Sequence, residues 1–357
     1  MTKKSLPELR KQIDSIDDQI LDLLNRRAGV VIEVGKTKTG ESKEFYVPSR
    51  EMAIYERLTS KNTGPFPAEA VRRVFREIIS ASLSLEQPMK VAFLGPQGTF
   101  THAAAMKQFG FSAQLVPQKS IPAVFDEVQR GRAHYGVVPV ENSTEGAVSH
   151  TLDMFMESEQ KINAEILLEI SHFLLSRTGR FEDIRKVVSH PQPLAQCRKW
   201  LEENLPDIPL IDVGSTALAA QTAAEDESAA AIASEMAASL YGLQIVKERI
   251  EDNPNNFTRF LVIGRKTPER SGRDKTSVMF SVKDEPGILY RMLEPFSKRG
   301  INLSKIESRP MKKKAWEYIF FLDMEGHIEE DSVRAAVDEL KGYCQFIKVL
   351  GSYPRNR

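Results

Sequence analysis

Apolar residues in the first quarter of the chain recur every three or four positions, which is the spacing of one helix face. From residue 6 to residue 34 the spacing continues without an internal proline, so we predict one long helix. Its apolar positions are Leu6, Leu9, Ile13, Ile16, Ile20, Leu23, Leu24, Val30, Val31 and Val34. Pro48 and Pro67 precede shorter helical patterns, the first ending near residues 62–65 and the second running from about Ala68 to Gln87. A helix this long cannot bury its stripe against two shorter helices, so we expect a partner subunit.

After Pro88 the pattern changes to short apolar runs that alternate with helical segments. Strands are predicted in KVAFLG, AQLVPQ, YGVVPVEN, KVVSH, PLIDVG and AAAIA, with one long strand around Ile166 to Leu175. Helices are predicted after Ser120, Pro191 and Ser215, and NNFTRFLVIG provides the last strand. This alternation predicts a doubly wound α/β region divided into two lobes with a cleft between them.

A polar linker, PERSGRD at residues 268–274, precedes a third pattern. Its strands and helices follow the order strand, helix, strand, strand, helix, strand, with a helix from Pro286 to Arg299 and another from Glu329 to Lys341. This order is that of the ferredoxin-like split motif. We therefore predict a multidomain chain with an all-α domain at residues 1–88, a two-lobed α/β domain at 89–267 and an α+β domain at 275–357.

Charge and composition exclude several classes of function. Lysine plus arginine and aspartate plus glutamate both total 49, so the charge balance predicts neither a nucleic-acid partner nor a membrane partner. Cys197 and Cys344 form no CxxC motif, and the six histidines show no paired-ligand spacing, so we expect no metal and no cofactor. No signal-peptide core and no membrane-length apolar run is visible, and the expected location is the cytoplasm.

Several charged side chains of the helical region share a helix face. Arg27 and Lys38 are eleven residues apart, close to three turns, so they lie roughly 16 Å apart along one face. Arg10 points roughly 80–100° away from them, which suits a site shared with another subunit. Ser82 and Glu86 lie one turn apart on the third helix. Ordinary ion pairs on a solvated face explain the same pattern, and charge alone favours that interpretation.

The motifs LRKQID, RRAGVVIEVGKTK, PSRE and SASLSLEQ occur in order, and this region resembles the all-helical chorismate mutase domain. The resemblance implies an intertwined dimer of three-helix subunits, with Arg10 reaching the site of the partner. Val47 and Glu86 depart from residues that some members carry, and Glu86 would assist an ether oxygen only when protonated. Arg27, Lys38 and Glu86 are the implied catalytic residues. The implied pocket residues are Arg10, Arg27, Lys38, Arg50, Glu51, Ser82 and Glu86.

Polar residues stand at the strand ends of the α/β region, where open sheets of this class bind ligands. The motifs GPQGTF, VENST and NNFTRF resemble those of the prephenate dehydratase domain, whose fold is similar to two-lobed periplasmic binding proteins. The resemblance implies that Thr258 is the catalytic hydroxyl, which accounts for a polar residue at the entry to an apolar strand. Without it, the spacing alone favours a simple loop-to-strand junction as the explanation of Thr258. The implied substrate-binding residues are Thr99, Glu141, Asn142, Ser143, Ser189, Arg259 and Phe260. For Arg259 the sequence leaves two roles open, contact with the substrate or bracing of the loop.

The third region resembles the ACT regulatory module in the segment DEPGILYRMLEPFSKRGINLSKIESRP. The resemblance implies that L-phenylalanine binds as an effector across a dimer interface. The implied effector-binding residues are Pro286, Gly287, Ile288, Leu289, Asn302, Leu303, Glu307, Ser308 and Arg309.

Taken together, the three resemblances predict an isomerase joined to a lyase, converting chorismate to prephenate and prephenate to phenylpyruvate under feedback control by L-phenylalanine. The expected assembly is a homodimer or a higher homo-oligomer. One alternative is a dehydratase whose helical domain only dimerises. A second alternative is an amino-acid sensor without catalysis, because two-lobed domains and ACT modules also bind ligands without chemistry.

Overall fold

The structure is a computed structural model that describes residues 5–37, 46–86, 88–283, 285–310 and 318–355. The described residues between 5 and 89 form three helices: α1 (Leu6–Thr37), α2 (Pro48–Lys61) and α3 (Ala68–Glu86). These elements confirm the helical prediction. No residue of α1 is buried, whereas α3 buries Ile79, Ser80 and Ser82. None of the helices in the described ranges is long and apolar enough to cross a membrane.

The first lobe of the α/β domain is built on a mixed sheet of six strands in the order β2-β1-β3-β11-β5, with β4 paired to β3. Its strands are β1 (Lys90–Leu94), β2 (Gln114–Gln118), β3 (Tyr135–Asn142), β4 (Gly146–Ala147), β5 (Lys161–Glu169) and β11 (Phe257–Gly264). Its helices are α4 (Phe100–Phe109), α5 (Ile121–Gln129) and α6 (Ser149–Glu157). Ser120 caps α5 as predicted, accepting a hydrogen bond from the Ala123 amide. Because β11 runs antiparallel to both β3 and β5, the last predicted strand lies inside the sheet.

The second lobe has a sheet of five strands in the order β10-β6-β9-β7-β8. Its strands are β6 (Phe173–Ser176), β7 (Lys186–Ser189), β8 (Leu210–Asp212), β9 (Ala229–Ala233) and β10 (Gln244–Lys247). Its helices are α7 (Pro191–Gln196), α8 (Arg198–Asn204), α9 (Thr216–Glu225) and α10 (Glu235–Tyr241). The alternation of strands and helices therefore gives two lobes, as predicted.

The long strand predicted around Ile166 to Leu175 is wrong. The structure divides it into β5 of the first lobe and β6 of the second, and the chain crosses between the two sheets at residues 170–172. At the crossing the Ile170 amide donates to the Asn256 carbonyl and the His172 amide to the Glu251 carboxylate. An apolar run indicates that a segment is buried, but it does not indicate which of two neighbouring hydrophobic cores buries that segment.

The C-terminal domain has the predicted strand and helix order. Its elements are β12 (Asp274–Val282), α11 (Ile288–Lys298), β13 (Leu303–Pro310), β14 (Tyr318–Glu325), α12 (Asp331–Lys341) and β15 (Cys344–Pro354). The antiparallel sheet has the order β13-β14-β12-β15. One face, with Phe280 and Leu322, packs on Phe296 of α11 and Val337 of α12. The other face contributes to the core of the first lobe through Met279, Phe321, Leu350 and Tyr353.

The two sheets approach so closely at Gly351 of β15 that a side chain has no room. A Cβ atom at this position would lie 2.4 Å from the carbonyl oxygen of Ile162 on β5. Lys161 strengthens the same contact by donating from Nζ to the Val349 carbonyl at 2.8 Å. Gly351 is therefore a packing requirement of the junction between the C-terminal domain and the first lobe.

We expect Gly351→Ala to destabilise the chain by about 1–3 kcal/mol, because the added methyl group must displace backbone rather than a flexible side chain. The measurement is the free energy of unfolding in denaturant. Gly214→Ala is the matched control, since a Cβ atom there meets nothing within 4 Å. Equal stability of the Gly351 and Gly214 variants would contradict the packing argument.

Candidate active sites

The candidate site of the helical domain contains Arg27 of α1 and Ser82 of α3. Arg27 Nη1 donates to Ser82 Oγ, and the Ser82 hydroxyl in turn donates to the Ile78 carbonyl at 2.6 Å. Burial lowers the pKa of Arg27, but a guanidinium begins so far above neutral pH that it stays charged. The serine thus holds a half-buried cation in one orientation, which suits the binding of a carboxylate.

Glu86 is the last residue of α3 and contacts α1, the helix that carries Arg27. A Cβ atom added to Gly35 of α1 would be 3.1 Å from Glu86 Cγ, so the carboxylate side chain packs directly over the α1 backbone. Arg27, Ser82 and Glu86 are therefore the predicted pocket residues that the structure places along the α1 and α3 contact.

The remaining predicted pocket residues of the helical domain are placed differently. Arg10 is exposed on α1, and its separation of seventeen positions from Arg27 corresponds to roughly 25 Å along a helix axis. One small molecule cannot contact both side chains of the same subunit. Arg50 and Glu51 lie in the first turn of α2, and Lys38 lies outside the described residues.

The candidate site of the two-lobed domain is centred on Thr258, at the start of β11. Thr258 is paired with Asn142 at the end of β3, and Asn142 Nδ2 donates to Thr258 Oγ1 at 2.8 Å. The other oxygen of this amide, Oδ1, accepts hydrogen bonds from Thr144 and from the Glu145 amide. These bonds fix which way the amide points. Ser143 holds the neighbouring backbone, since its Oγ accepts from the Phe257 amide at 2.9 Å.

Three polar side chains that sequence reasoning did not select join this group. Asn142 Nδ2 also donates to Asn256 Oδ1 at 2.8 Å, and Asn256 Nδ2 donates to Gln196 Oε1 of α7 at 3.1 Å. The same Gln196 oxygen lies 2.8 Å from His172 Nε2. Burial lowers the pKa of His172, which favours the neutral ring, and because an amide oxygen only accepts, Nε2 donates to Gln196. This hydrogen-bonded chain joins the first lobe to the second beside Thr258.

The glycine-containing loop before α4 also brings the two lobes together. Gly98 has φ +86°, a left-handed conformation, and a Cβ atom there would lie 3.1 Å from the Tyr241 ring of the second lobe. Ser234 Oγ donates to the Gly98 carbonyl at 3.1 Å. Thr99 caps α4 by accepting from the His102 amide at 3.3 Å and donates to the Pro96 carbonyl. Thr99 therefore orders the loop at the helix start, where amides are suited to bind an anion.

Four predicted substrate-binding residues are not part of the Thr258 group. Ser189 is fully buried and donates to the Ile232 carbonyl at 2.7 Å, while Phe260 is buried in the core. Glu141 and Arg259 pair with each other across β3 and β11, one residue from the Asn142 and Thr258 pair. Since adjacent strand residues point to opposite faces, their side chains lie on the back of the sheet. That face is covered by the C-terminal domain, so the geometry favours another role for both residues.

The predicted effector-binding residues lie at one edge of the C-terminal sheet and at the start of α11. Residues 286–289 form the end of the loop before α11 and the start of its first turn, and Leu289 is exposed. Asn302 precedes the edge strand β13 and donates to Glu325 at 3.0 Å. Leu303, Glu307, Ser308 and Arg309 are in β13 itself, and Arg309 turns toward the first lobe, where it meets the Ser149 carbonyl and Asp153.

Comparison with known proteins agrees with this division. The chorismate mutase type II family model matches residues 9–87, the prephenate dehydratase model residues 91–268 and the ACT domain model residues 276–342. The bifunctional chorismate mutase/prephenate dehydratase of Aquifex aeolicus is 54% identical, with 99% of this chain and 98% of that protein covered. The protein of the same name from Pseudomonas aeruginosa is 46% identical, with 98% of each covered.

A solved structure shows the same likeness over three quarters of the chain. The prephenate dehydratase of Arthrobacter aurescens, solved in complex with L-Phe, superimposes with a TM-score of 0.69 at 38% identity. The match covers 75% of this chain and 90% of that one. On the full-length identity and the three family models in order, the chain belongs to the bifunctional chorismate mutase/prephenate dehydratase family.

Proposed function

We propose that the helical domain rearranges chorismate to prephenate, that the two-lobed domain converts prephenate to phenylpyruvate, and that the C-terminal domain binds L-phenylalanine as a feedback inhibitor. The domain limits proposed for these roles are residues 1–88, 89–267 and 275–357. The observation that carries the proposal is the Thr258 hydroxyl, held by Asn142 where a hydrogen-bonded chain joins the two lobes. It is supported by the names of the full-length relatives and by the L-Phe complex of the Arthrobacter protein.

The dehydratase step needs assistance for one leaving group. In prephenate the bond from the ring to its hydroxyl oxygen breaks, and the ring carboxylate leaves as carbon dioxide. The electron pair of the broken carbon–carbon bond completes the aromatic ring, while the departing oxygen takes up a proton and leaves as water. The protein contribution is therefore a hydrogen-bond donor at that oxygen.

Thr258 is arranged as such a donor. Its Oγ1 accepts from Asn142, and within the described part of the chain it donates to no protein group. The hydroxyl hydrogen is consequently available for the leaving oxygen. Asn142 acts on the reaction by orienting this hydroxyl, and the loop at Thr99 with the amides at the start of α4 provides a place for a substrate carboxylate.

The mutase step requires charge and shape rather than a nucleophile. The rearrangement breaks an ether bond and forms a carbon–carbon bond within one molecule, so an enzyme assists by holding the compact conformer and stabilising negative charge on the ether oxygen. Arg27, oriented by Ser82, binds a carboxylate in this proposal, with Lys38 and Glu86 at the ether oxygen. Arg10, Arg50 and Glu51 complete the pocket, and the distance between Arg10 and Arg27 requires Arg10 from a second subunit.

The surface of α1 supports a homodimer. Its N-terminal half exposes a continuous apolar stripe that no described part of the same chain covers. The stripe consists of Leu6, Leu9, Ile13, Ile16, Ile20 and Leu23, all of them exposed. A stripe with this heptad-like spacing is the surface that a second helix of the same kind covers, so we propose that α1 pairs with α1 of another subunit.

We expect Ile16→Glu to lower mutase activity at least about a hundredfold, because an unpaired charge buried in the dimer costs several kcal/mol. Dehydratase activity should remain, since the stripe lies outside residues 91–268. Both activities are measured together with sedimentation velocity. Asn25→Glu adds the same charge to an exposed position on the opposite face of α1 and should change neither activity. Full mutase activity in Ile16→Glu would argue against a shared site.

Separate assays of the two steps test the proposed function. Purified chain supplied with prephenate should form phenylpyruvate, and L-phenylalanine should inhibit this conversion. A protein that binds L-phenylalanine but converts neither chorismate nor prephenate would instead be a sensor. A protein that converts prephenate but not chorismate would reduce the helical domain to a dimerisation element.

A further inference from the structure

The back face of the Thr258 strands is held by charged side chains of the C-terminal domain. Glu141 and Arg259 occupy this face, one residue from Asn142 and Thr258 respectively. Lys305 of β13 pairs with Glu141 at 2.8 Å between Nζ and Oε2. Arg259 bonds to Asp323 of β14 and to Tyr353 of β15. Both strands that carry the dehydratase site thus have a direct contact with the C-terminal sheet.

The contacts of Arg259 form a buried cluster in which positive and negative charges balance. Its guanidinium donates to Glu165 at 2.8 Å, to Asp323 at 2.7 Å and to the Tyr353 hydroxyl at 2.9 Å. Lys275 adds a second cation at 2.8 Å from Glu165. Burial works to lower the pKa of Arg259, but Tyr353 and the two carboxylates outweigh it and raise this pKa. Removing one member would leave a buried charge without its partner, so this cluster is suited to persist in every state of the protein.

The contacts of β13 are of a different kind. In the described sheet β13 is an edge strand, bonded only to β14, so within one subunit it can shift without breaking a second ladder. Its partner Glu141 keeps about a third of its side chain exposed, 37%, and the oxygen that meets Lys305 lies farther from the Arg259 cluster, at 3.7 Å from Arg259 Nη1. An ion pair that retains water on one side is weaker and easier to rearrange than the Arg259 cluster.

Two residues of β13 contact both ends of the turn that carries Asn142. Lys305 meets Glu141, the residue before Asn142. Arg309, on the same face of β13, donates to the Ser149 carbonyl at 2.6 Å and to Asp153 at 3.1 Å, at the start of α6 after the turn. The turn between these anchors supplies the hydrogen bonds that orient the Asn142 amide.

We propose that Lys305 and Arg309 couple the edge strand β13 to the turn that carries Asn142, and so transmit effector binding to the dehydratase site. The inference rests on the proposed function, because it assumes that L-phenylalanine inhibits the dehydratase. The effector residues proposed above include Asn302 and Leu303, which precede Lys305 in the chain by three and two positions. A shift of β13 on effector binding alters the Lys305 and Glu141 contact, while the Arg259 cluster holds the two domains together.

The test is Lys305→Met in the full chain. We expect the L-phenylalanine concentration for half inhibition of prephenate conversion to rise about tenfold or more, in the range of ordinary coupling between two sites. The kcat and KM without effector should stay within about twofold of the parent chain, which also shows that the variant folds. Equilibrium dialysis should show that the variant still binds L-phenylalanine. Lys305→Arg, which keeps the charge, should recover most of the inhibition.

Lys348→Met is the matched control. Lys348 also joins the C-terminal domain to the first lobe, donating to the Ser158 carbonyl at 2.6 Å and to Glu159 at 2.8 Å, but it meets the end of α6 rather than the turn. Inhibition of this variant should match that of the parent.

Unchanged inhibition in Lys305→Met, or an equal loss of inhibition in Lys348→Met, would overturn the inference while leaving the proposed function intact. Loss of L-phenylalanine binding in Lys305→Met would overturn it as well, because the lysine would then belong to the effector site. A parent chain that L-phenylalanine does not inhibit would refute the regulatory part of the proposed function and the inference with it.

Discussion

Replacing Thr258 with alanine is expected to slow prephenate conversion by about a hundredfold to a thousandfold, the usual cost of removing one positioned donor from an active site. Mutase activity should not change, because Thr258 lies outside the region matched by the chorismate mutase model. Folding should also survive, since alanine fits where threonine does and removes one hydrogen bond, from Asn142.

Two further substitutions separate the hydroxyl from the shape of the side chain. Thr258→Ser keeps the donor and should retain most of the activity, whereas Thr258→Val keeps the shape and should be as slow as Thr258→Ala. The assay follows prephenate loss and phenylpyruvate formation at fixed protein concentration. A valine variant that converts prephenate at the parent rate would show that Thr258 is structural.

Replacing Arg27 with alanine is expected to lower mutase activity by about a hundredfold to a thousandfold, or roughly 3–4 kcal/mol, with dehydratase activity retained. The half-buried guanidinium is oriented by Ser82, and water cannot substitute for a fixed charge at a substrate carboxylate. Arg27→Lys should rescue little, because lysine lacks the planar fork that binds a carboxylate in two places.

Arg26→Ala is the control for Arg27, because the Arg26 side chain is exposed and its nearest described ion pair, with Asp22, is at 4.0 Å. It should leave both activities unchanged. Chorismate is the substrate for one assay and prephenate for the other. An Arg27→Ala chain that loses both activities together would indicate misfolding or a shared site, and one that keeps mutase activity would remove Arg27 from the mechanism.

The elements with a strong hydrophobic pattern were predictable from the sequence. The helical spacing of α1 and the continuous apolar run of β3 each specify one structure, because a long amphipathic helix and a strand buried on both faces leave few alternatives. Strand ends were informative too. Asn142, Ser143 and Thr258 were predicted at the ends of two strands, and the structure brings them together because β3 and β11 are neighbours.

Features that depend on which elements become neighbours were not predictable. Gln196 and His172 reach the Thr258 group only because the second lobe packs against the first, and no local pattern encodes that contact. The family resemblance implied substrate contact for Glu141 and, as one of two roles, for Arg259, the neighbours of Asn142 and Thr258 in sequence. The alternation of side chains along a strand was the available signal against that assignment, and it places both on the opposite face.

The role of Arg259 illustrates the same limit. A cation beside a catalytic residue suggests a substrate contact, yet here its partners are Glu165, Asp323 and Tyr353. Two of these partners, Asp323 and Tyr353, lie more than sixty residues away in the C-terminal domain. Only the packing of the C-terminal sheet on the first lobe shows that this cation serves the junction between domains.

A time course of the purified chain with chorismate alone tests the central claim most directly. The two reactions are followed in one vessel by sampling chorismate, prephenate and phenylpyruvate. We predict that chorismate falls, prephenate rises first, and phenylpyruvate follows, and that the Thr258→Ala chain stops at prephenate. A folded parent chain that leaves chorismate unchanged, or a Thr258→Ala chain that still accumulates phenylpyruvate at the parent rate, would contradict the account.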